Sequence, residues 1–467
     1  MSVVNGFEMF PEGFKKRIST QKYIDAEALL KSLQELSPVS IRINPLKWNR
    51  KPVDSISIPW ASNGYYLSSR PSYTLDPLFH GGCYYPQEAS SMFIEQAVRQ
   101  NIIASEQMRV LDLCGAPGGK STHLADLIGS RNLLIANDVI RSRASILSET
   151  LTKWGSGNVI VTQSDPAAFN RMEGYFNVVL VDAPCSGEGM FRTEIARSEW
   201  SETNTHHCSE RQKRILLDIW PALKDNGILI YSTCTFNKSE NEENIKWLTD
   251  RKEAESLKLD ISRFVGVKEI DFEGITGYGF YPDKIMGEGF FISLIRKRKG
   301  NQHTKAGKSK VADLKPAKRE VEAIKGWTKI GEEMLLKWGD DIWGLPCSLD
   351  EYSLLLQNLK IVKAGTRLCT VKQNDFLPAH DLSLSSNLYS NAFPVEELTY
   401  KDAVAFLRRD NLRIKPAVRG WNIVKYMGIN LGWINNLASR LNNYYPVEWR
   451  IRMAALPEIE SNLIKWD

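Results

Sequence analysis

Residues 109–121, R-V-L-D-L-C-G-A-P-G-G-K-S, restrict the fold more than any other part of this 467-residue chain. A short apolar strand pattern runs straight into a turn with three glycines, and a helical pattern follows. Gly115, Gly118 and Gly119 let the backbone turn tightly and approach a ligand closely. Free amides at the following helix start favour negatively charged groups. Further apolar runs recur at 133–137, 159–162, 176–181 and 228–233, with helical stretches between most of them. Runs of this kind are expected of strands buried on both faces of a parallel sheet. Right-handed crossovers then give a doubly wound α/β domain. Residues 289–295, G-F-F-I-S-L-I, are expected to form its last strand.

The length allows more than one domain. Residues 1–100 read as an N-terminal extension, with a helical pattern at 26–36, a short strand at 40–47 and a turn-rich lead into a helix at 76–98. Arg42 and Lys47 on that strand are candidates for phosphate contact, or two charges on a solvated face. The α/β pattern fills 101–298. Residues 297–319 carry nine Lys or Arg and one acid, which marks a linker over 299–319. Residues 320–390 and 391–467 form the rear part. There 338–359 look partly helical, 367–371 and 381–384 extended, 404–409 the end of a helix, 421–433 a hairpin, and 442–451 a strand at the end.

Net charge is +5, and the chain from Lys297 onward has 27 Lys and Arg against 19 Asp and Glu, leaving −3 before it. A basic rear half suits an anionic partner, and aromatics beside Arg and Lys suit single-stranded RNA. No leader segment or membrane-length apolar run is read. Seven scattered cysteines have no disulfide-framework spacing, so a reducing cytoplasm is expected. Cys83 reads as packing. His206, His207 and Cys208 are contiguous and cannot all reach one ion from a helix, so no metal is expected.

The glycine turn is neither a dinucleotide fingerprint nor a phosphate loop. It has three residues, not four, between Gly115 and the Gly119-Lys120-Ser121 triplet, and Cys114 stands where a phosphate loop starts with glycine. Asp138, about twenty residues past the turn, is placed for ribose hydroxyls. Asp165 follows the third strand and can reach an adenine amino group, and Asp182 is a third acid at a strand end. Ribose and adenine without a phosphate cradle point to S-adenosylmethionine. Asp182-Ala183-Pro184-Cys185 follows one strand and Cys234 the next, so both thiols are expected to face one pocket beyond neighbouring strand ends. A thiolate adding to C6 of cytosine makes C5 nucleophilic toward a sulfonium methyl group. Protonation or hydrogen bonding at N3 must accept the displaced charge, and Asp182 is suited to that if protonated or shared. The base must leave its stack to reach such a pocket.

The motifs D-L-C-G-A-P-G-G-K-S, V-D-A-P-C-S-G-E-G-M-F-R, Y-S-T-C-T-F-N and P-D-K-I-M-G-E-G-F-F closely resemble those of the RNA cytosine-5 methyltransferases. The resemblance implies a class I Rossmann-like S-adenosylmethionine-dependent methyltransferase domain. It implies that Cys114, Gly115, Ala116, Pro117, Gly118, Gly119, Lys120, Asp138, Asp165 and Asp182 line the cofactor site, with Lys120 also in the catalytic group. It makes Cys234 the nucleophile and Cys185 the aid to product release; in related DNA enzymes the Pro-Cys cysteine attacks instead. Gly115 departs from the alanine usual in the family. The rear stretches 363–368, 376–384, 421–433 and 445–450 are similar to the ribosomal small-subunit methyltransferase F group. That implies a PUA-like C-terminal RNA-binding region and 16S rRNA or the small subunit as substrate, with a monomer and no membrane. Transfer RNA is the alternative substrate. A noncatalytic RNA-binding assembly factor is the alternative function.

Overall fold

The computed structural model describes residues 9–102, 107–299, 314–373, 375–453 and 462–467. The first eight residues and most of the basic linker (300–313) therefore lie outside the described residues.

A ten-stranded sheet organises the chain. Its parallel core is β1 (Arg109–Asp112), β2 (Leu133–Asn137), β3 (Val159–Thr162), β4 (Phe176–Asp182) and β5 (Leu223–Thr233), followed by β6 (Ile275–Phe280) and β7 (Phe290–Lys297). The central order is β3-β2-β1-β4-β5-β7-β6, with β7 antiparallel to β5. The period-two geometry of strands sends alternate residues to two cores. Val110, Leu134, Val178, Leu180, Ile228 and Ile230 lie in one. Leu111, Ile135, Val179, Val181, Leu229 and Tyr231 lie in the other. Burial on both faces explains why these strands read as unbroken apolar runs rather than as alternation.

The flanking segments complete these cores. Trp60, Met92 and Phe93 of the N-terminal extension pack into the first, and Leu336, Tyr352 and Leu355 of the rear part into the second. The extension carries its own antiparallel sheet, Ile56–Ser57, Gly64–Leu67, Val39–Ile43 and Tyr84–Pro86 in that order. The strand Ile361–Ala364 pairs antiparallel with β3, so the stretch 320–390 shares a sheet with the catalytic domain. The last residues return to the N-terminal sheet, where Trp466 packs on Trp48 and Tyr84.

Several local expectations change. His380–Leu384 is a short helix, not an extended segment; one turn buries His380, Leu382 and Leu384, and a run that short carries no decisive periodicity. Only Leu441–Asn443 of the last segment is a strand, because Tyr445 turns inward as a buried plug with its hydroxyl 3.2 Å from His80 Nδ1. Residues 338–359 divide into the hairpin Leu335–Trp338/Asp341–Gly344 and the helix Leu349–Asn358. Arg42 and Lys47 face inward rather than toward solvent. Arg42 donates to Gln87 Oε1 (2.8 Å), Asp126 Oδ2 (2.6 Å) and Thr122 Oγ1 (2.6 Å) and lies over the Trp154 ring. Lys47 Nζ donates to the carbonyls of Gly81 and Lys153. Neither is free to hold a phosphate. Among the described residues no helix is long and apolar enough to cross a membrane.

Candidate active site

The carboxyl ends of β3, β2, β1, β4 and β5 lie side by side, and the acids and thiols follow that spatial order. Strand spacing makes the row about 19 Å long. Asp165 follows β3, is exposed, and accepts from its own Ala167 N at 3.0 Å. Asp138, just past β2, is buried; its Oδ1 accepts from Ile140 N (2.9 Å) and its Oδ2 lies 3.1 Å from Arg143 Nε. Arg143 also donates to Ala116 O at 2.9 Å, which ties the glycine turn to this end of the row.

The turn leads into the helix Gly119–Ile128 through Gly118 at φ +119°, a conformation that favours glycine. A Cβ on Gly119 would stand 3.0 Å from the Tyr85 ring. Asp112, at the end of β1, is fully buried. Its Oδ2 accepts from Ser121 Oγ at 2.6 Å, and its Oδ1 has no partner. Burial pushes its carboxyl up to about 7. Burial and the neighbouring Asp112 likewise push the Cys114 thiol upward.

Asp182 closes β4 with both oxygens engaged: Oδ2 accepts from Lys120 Nζ (2.8 Å) and Oδ1 from Ser232 Oγ (2.7 Å). Burial alone would lower the Lys120 pKa, but Asp182, Cys234 and Asp112 outweigh it and hold the ammonium charged. The sulfurs of Cys185 and Cys234 are 3.1 Å apart, and Cys234 N donates to Cys185 Sγ at 3.3 Å. Hydrogen bonding with Cys234, and then burial, raise the Cys185 thiol well above its ordinary range. The expectation that two neighbouring strand ends bring both thiols together is met at contact distance.

A buried carboxylate joins the two thiol loops. Glu240 accepts from Ser186 N (2.9 Å) and Ser186 Oγ, and from Gln212 Nε2 (3.0 Å). Ser186 Oγ in turn lies 3.0 Å from Thr235 Oγ1. Sequence reasoning missed Asp112, Ser232 and Glu240. The first two stand inside the motifs quoted above; Glu240 had no signal, because its role depends on the fold bringing residues 186 and 235 together.

The remaining cysteines fall away from the row. Cys83, Cys208, Cys347 and Cys369 are buried. His206 and His207 are exposed on the helix Glu202–Ile219 while Cys208 turns inward. Among the described residues no group of three His, Cys, Asp or Glu can hold a metal ion.

The donor set fits S-adenosylmethionine. It offers carboxylates for hydroxyls, an amine and a sulfonium, an unpartnered Asp112 Oδ1, and no cradle for a triphosphate.

Residues 101–296 match the family described as 16S rRNA methyltransferase RsmB/F, and residues 10–89 match the N-terminal domain of 16S rRNA methyltransferase RsmF. Residues 393–451 match the methyltransferase RsmF PUA domain. A methyltransferase homolog protein from Pyrococcus horikoshii is similar in structure at 28% identity and a TM-score of 0.53, covering 62% of this chain and 98% of that one. NSun6 from the same organism, solved with SFG, shares the fold at a TM-score of 0.50 and 21% identity, covering 63% and 100%. The ribosomal RNA small subunit methyltransferase F of Enterobacter sp. is 29% identical over 94% of this chain and 95% of the relative. That of Aeromonas hydrophila is 31% identical over 87% of each. With the two thiols in contact, the row of acids and the likeness to relatives over 87–94% of its length together, the chain belongs to the ribosomal RNA small subunit methyltransferase F family.

Proposed function

We propose that the chain methylates C5 of a cytosine in 16S ribosomal RNA through a covalent bond between Cys234 Sγ and C6. The observation that carries this reading is the Cys185–Cys234 contact of 3.1 Å beside Asp182. Residues 114–120, with Asp112, Asp138, Asp165 and Asp182, hold S-adenosylmethionine, which supplies an electrophilic methyl group. Cys234 attacks C6 as the thiolate, and the electron pair of the C5–C6 double bond becomes available at C5. N3 takes up the proton that Cys234 gives up, and Asp182, fixed by Lys120 and Ser232, accepts a hydrogen bond from that N3–H and orients the ring. After C5 takes the methyl group, the C5 proton leaves to water, the C5–C6 double bond re-forms, and the Cys234–C6 bond breaks with its electron pair returning to sulfur; Cys185, in contact with Cys234 Sγ, assists this release. The PUA-like region grips RNA. Both thiol loops are completed by this chain's own residues, so a monomer suffices. Its free thiols suit the cytoplasm.

The test sets Cys185→Ala and Cys234→Ala beside the wild type, each with labelled S-adenosylmethionine and total RNA, on a denaturing gel. The expected result is a trapped protein–RNA adduct for Cys185→Ala and neither adduct nor label for Cys234→Ala. Methylation by Cys234→Ala would refute the nucleophile. Label in transfer RNA alone would change the substrate. A wild type that labels no RNA, ribosomal subunits included, would favour the assembly-factor reading.

A further inference from the structure

The N-terminal segment reaches the two thiol loops directly. The helix Glu12–Ile18 buries Phe14 and Ile18 in one cluster with Phe191 and Phe236. Phe14 packs edge-on against Phe191, with ring centroids 4.7 Å apart, and also contacts Phe236. Phe236 is two residues past Cys234, and Phe191 closes the loop that follows Cys185. Between these contacts, Arg17 makes two bonds of opposite destination. Its Nη2 pairs with Glu188 Oε1, three residues after Cys185, and its Nη1 donates to Phe236 O at 3.3 Å. Gln21 Nε2 adds a second donor to Phe236 O at 3.1 Å. The two loops meet under this clamp, where Gly189 N donates to Cys234 O at 2.9 Å.

Glu188 makes the clamp necessary. Its side chain is completely buried. Apart from Arg17, the donor to its carboxylate is Trp200 Nε1 at 3.0 Å, and its Oε2 has no partner. A buried carboxylate that loses its cation must reach water or a proton. Here reaching water means opening the turn Glu188–Met190. That turn carries the Gly189–Cys234 bond, so the sulfur-to-sulfur spacing would open with it.

We propose that Arg17 is a positioning residue for the two thiols, so that the N-terminal segment sets the geometry of the cysteine pair. This rests on the reading of Cys234 and Cys185 given above. Arg17 holds Glu188 and Phe236 O together, fixes residues 185–191 against residues 234–236, and keeps Sγ of Cys234 where it faces an incoming base. Both of its terminal nitrogens are committed inward, so the residue acts on the protein and not on RNA.

The experiment uses the full-length chain with Arg17→Ala, Arg17→Lys and Glu188→Gln. Iodoacetamide alkylation rates of Cys185 and Cys234 are followed by peptide mass spectrometry, alongside S-adenosylmethionine binding and the kcat and KM for 16S rRNA. For Arg17→Ala the expected result is Cys234 alkylation about tenfold faster and kcat at least about tenfold lower, the scale of a misplaced reacting group. KM for RNA and cofactor affinity stay within about threefold, because neither surface is touched. Arg17→Lys, which keeps the charge but cannot span both acceptors, falls between. Unchanged alkylation overturns the proposal, and so does a raised KM with kcat intact, which would make Arg17 an RNA contact. If Arg17→Ala binds no S-adenosylmethionine, Glu188→Gln decides: it keeps the shape, and its alkylation rate must still rise. Alkylation is read without turnover, so a wild type that labels no RNA would sink the functional reading and leave this test standing.

Discussion

Glu240→Gln gives a sharp test of the scaffold under the thiols, because its effect must depend on pH. Glu240 is fully buried, and burial lifts its carboxyl from 4.5 to about 7 despite the hydrogen bonds from Ser186 and Gln212. The folded chain therefore holds a proton that the unfolded chain has already released between those values. Where the native state binds more protons, stability falls as pH rises. The proton-linked stability is full below pH 4.5, is lost as pH climbs through 7, and stays level above. Between pH 5 and pH 8 the loss from this one group is on the order of 2–3 kcal/mol. Glutamine does not titrate, and its amide nitrogen faces donors that the carboxylate accepted, at a cost of about 1–3 kcal/mol. That cost is the same at both pH values and cancels in the comparison. The assay is urea unfolding by tryptophan fluorescence at pH 5, 6, 7 and 8, wild type against variant. The variant is expected to be the less stable chain at pH 5 and to match or exceed the wild type at pH 8, the gap moving by on the order of 2–3 kcal/mol. Asp112, Asp76 and Glu242 titrate in both chains and drop out of the difference. Parallel pH profiles for the two chains would refute the placement of a raised carboxyl between the thiol loops.

Two further outcomes follow from named contacts. Arg42→Met strands Asp126 without its cation in a buried site, so unfolding should be easier by about 3–5 kcal/mol with RNA affinity of the folded fraction unchanged; a selective loss of RNA affinity with full stability would restore the phosphate-contact reading. Gly115→Ala puts a Cβ 2.6 Å from Ser121 Oγ and 3.1 Å from Asp112 Oδ2, so Ser121 must release Asp112. The predicted loss is about 1–3 kcal/mol of stability, with weaker S-adenosylmethionine binding by calorimetry, and an unchanged titration would show that the turn gives way at no cost.

The sequence alone determined the catalytic sheet, because strands buried on both faces leave a one-dimensional record. Val110 and Leu111, or Val178 and Val179, are neighbours in the chain that enter opposite cores, and both must be apolar. The glycine turn was legible for a similar reason: Gly118 needs a left-handed backbone, and that demand is met within one residue. The two thiols were legible because Cys185 and Cys234 follow strands of one parallel sheet, and topology alone makes their ends neighbours. Tertiary structure decided everything that joins distant positions through side chains. Arg42 and Lys47 looked like surface cations until the helices behind them supplied Asp126, Thr122 and the carbonyls of Gly81 and Lys153. The edge strand Ile361–Ala364 finds β3 from some two hundred residues away, and no local pattern announces such a partner. Glu240 and Arg17 are ordinary charged residues in the sequence. Only burial of Glu240 and of Glu188, which makes an uncompensated charge costly, makes the first a bridge between the thiol loops and gives Arg17 its partner.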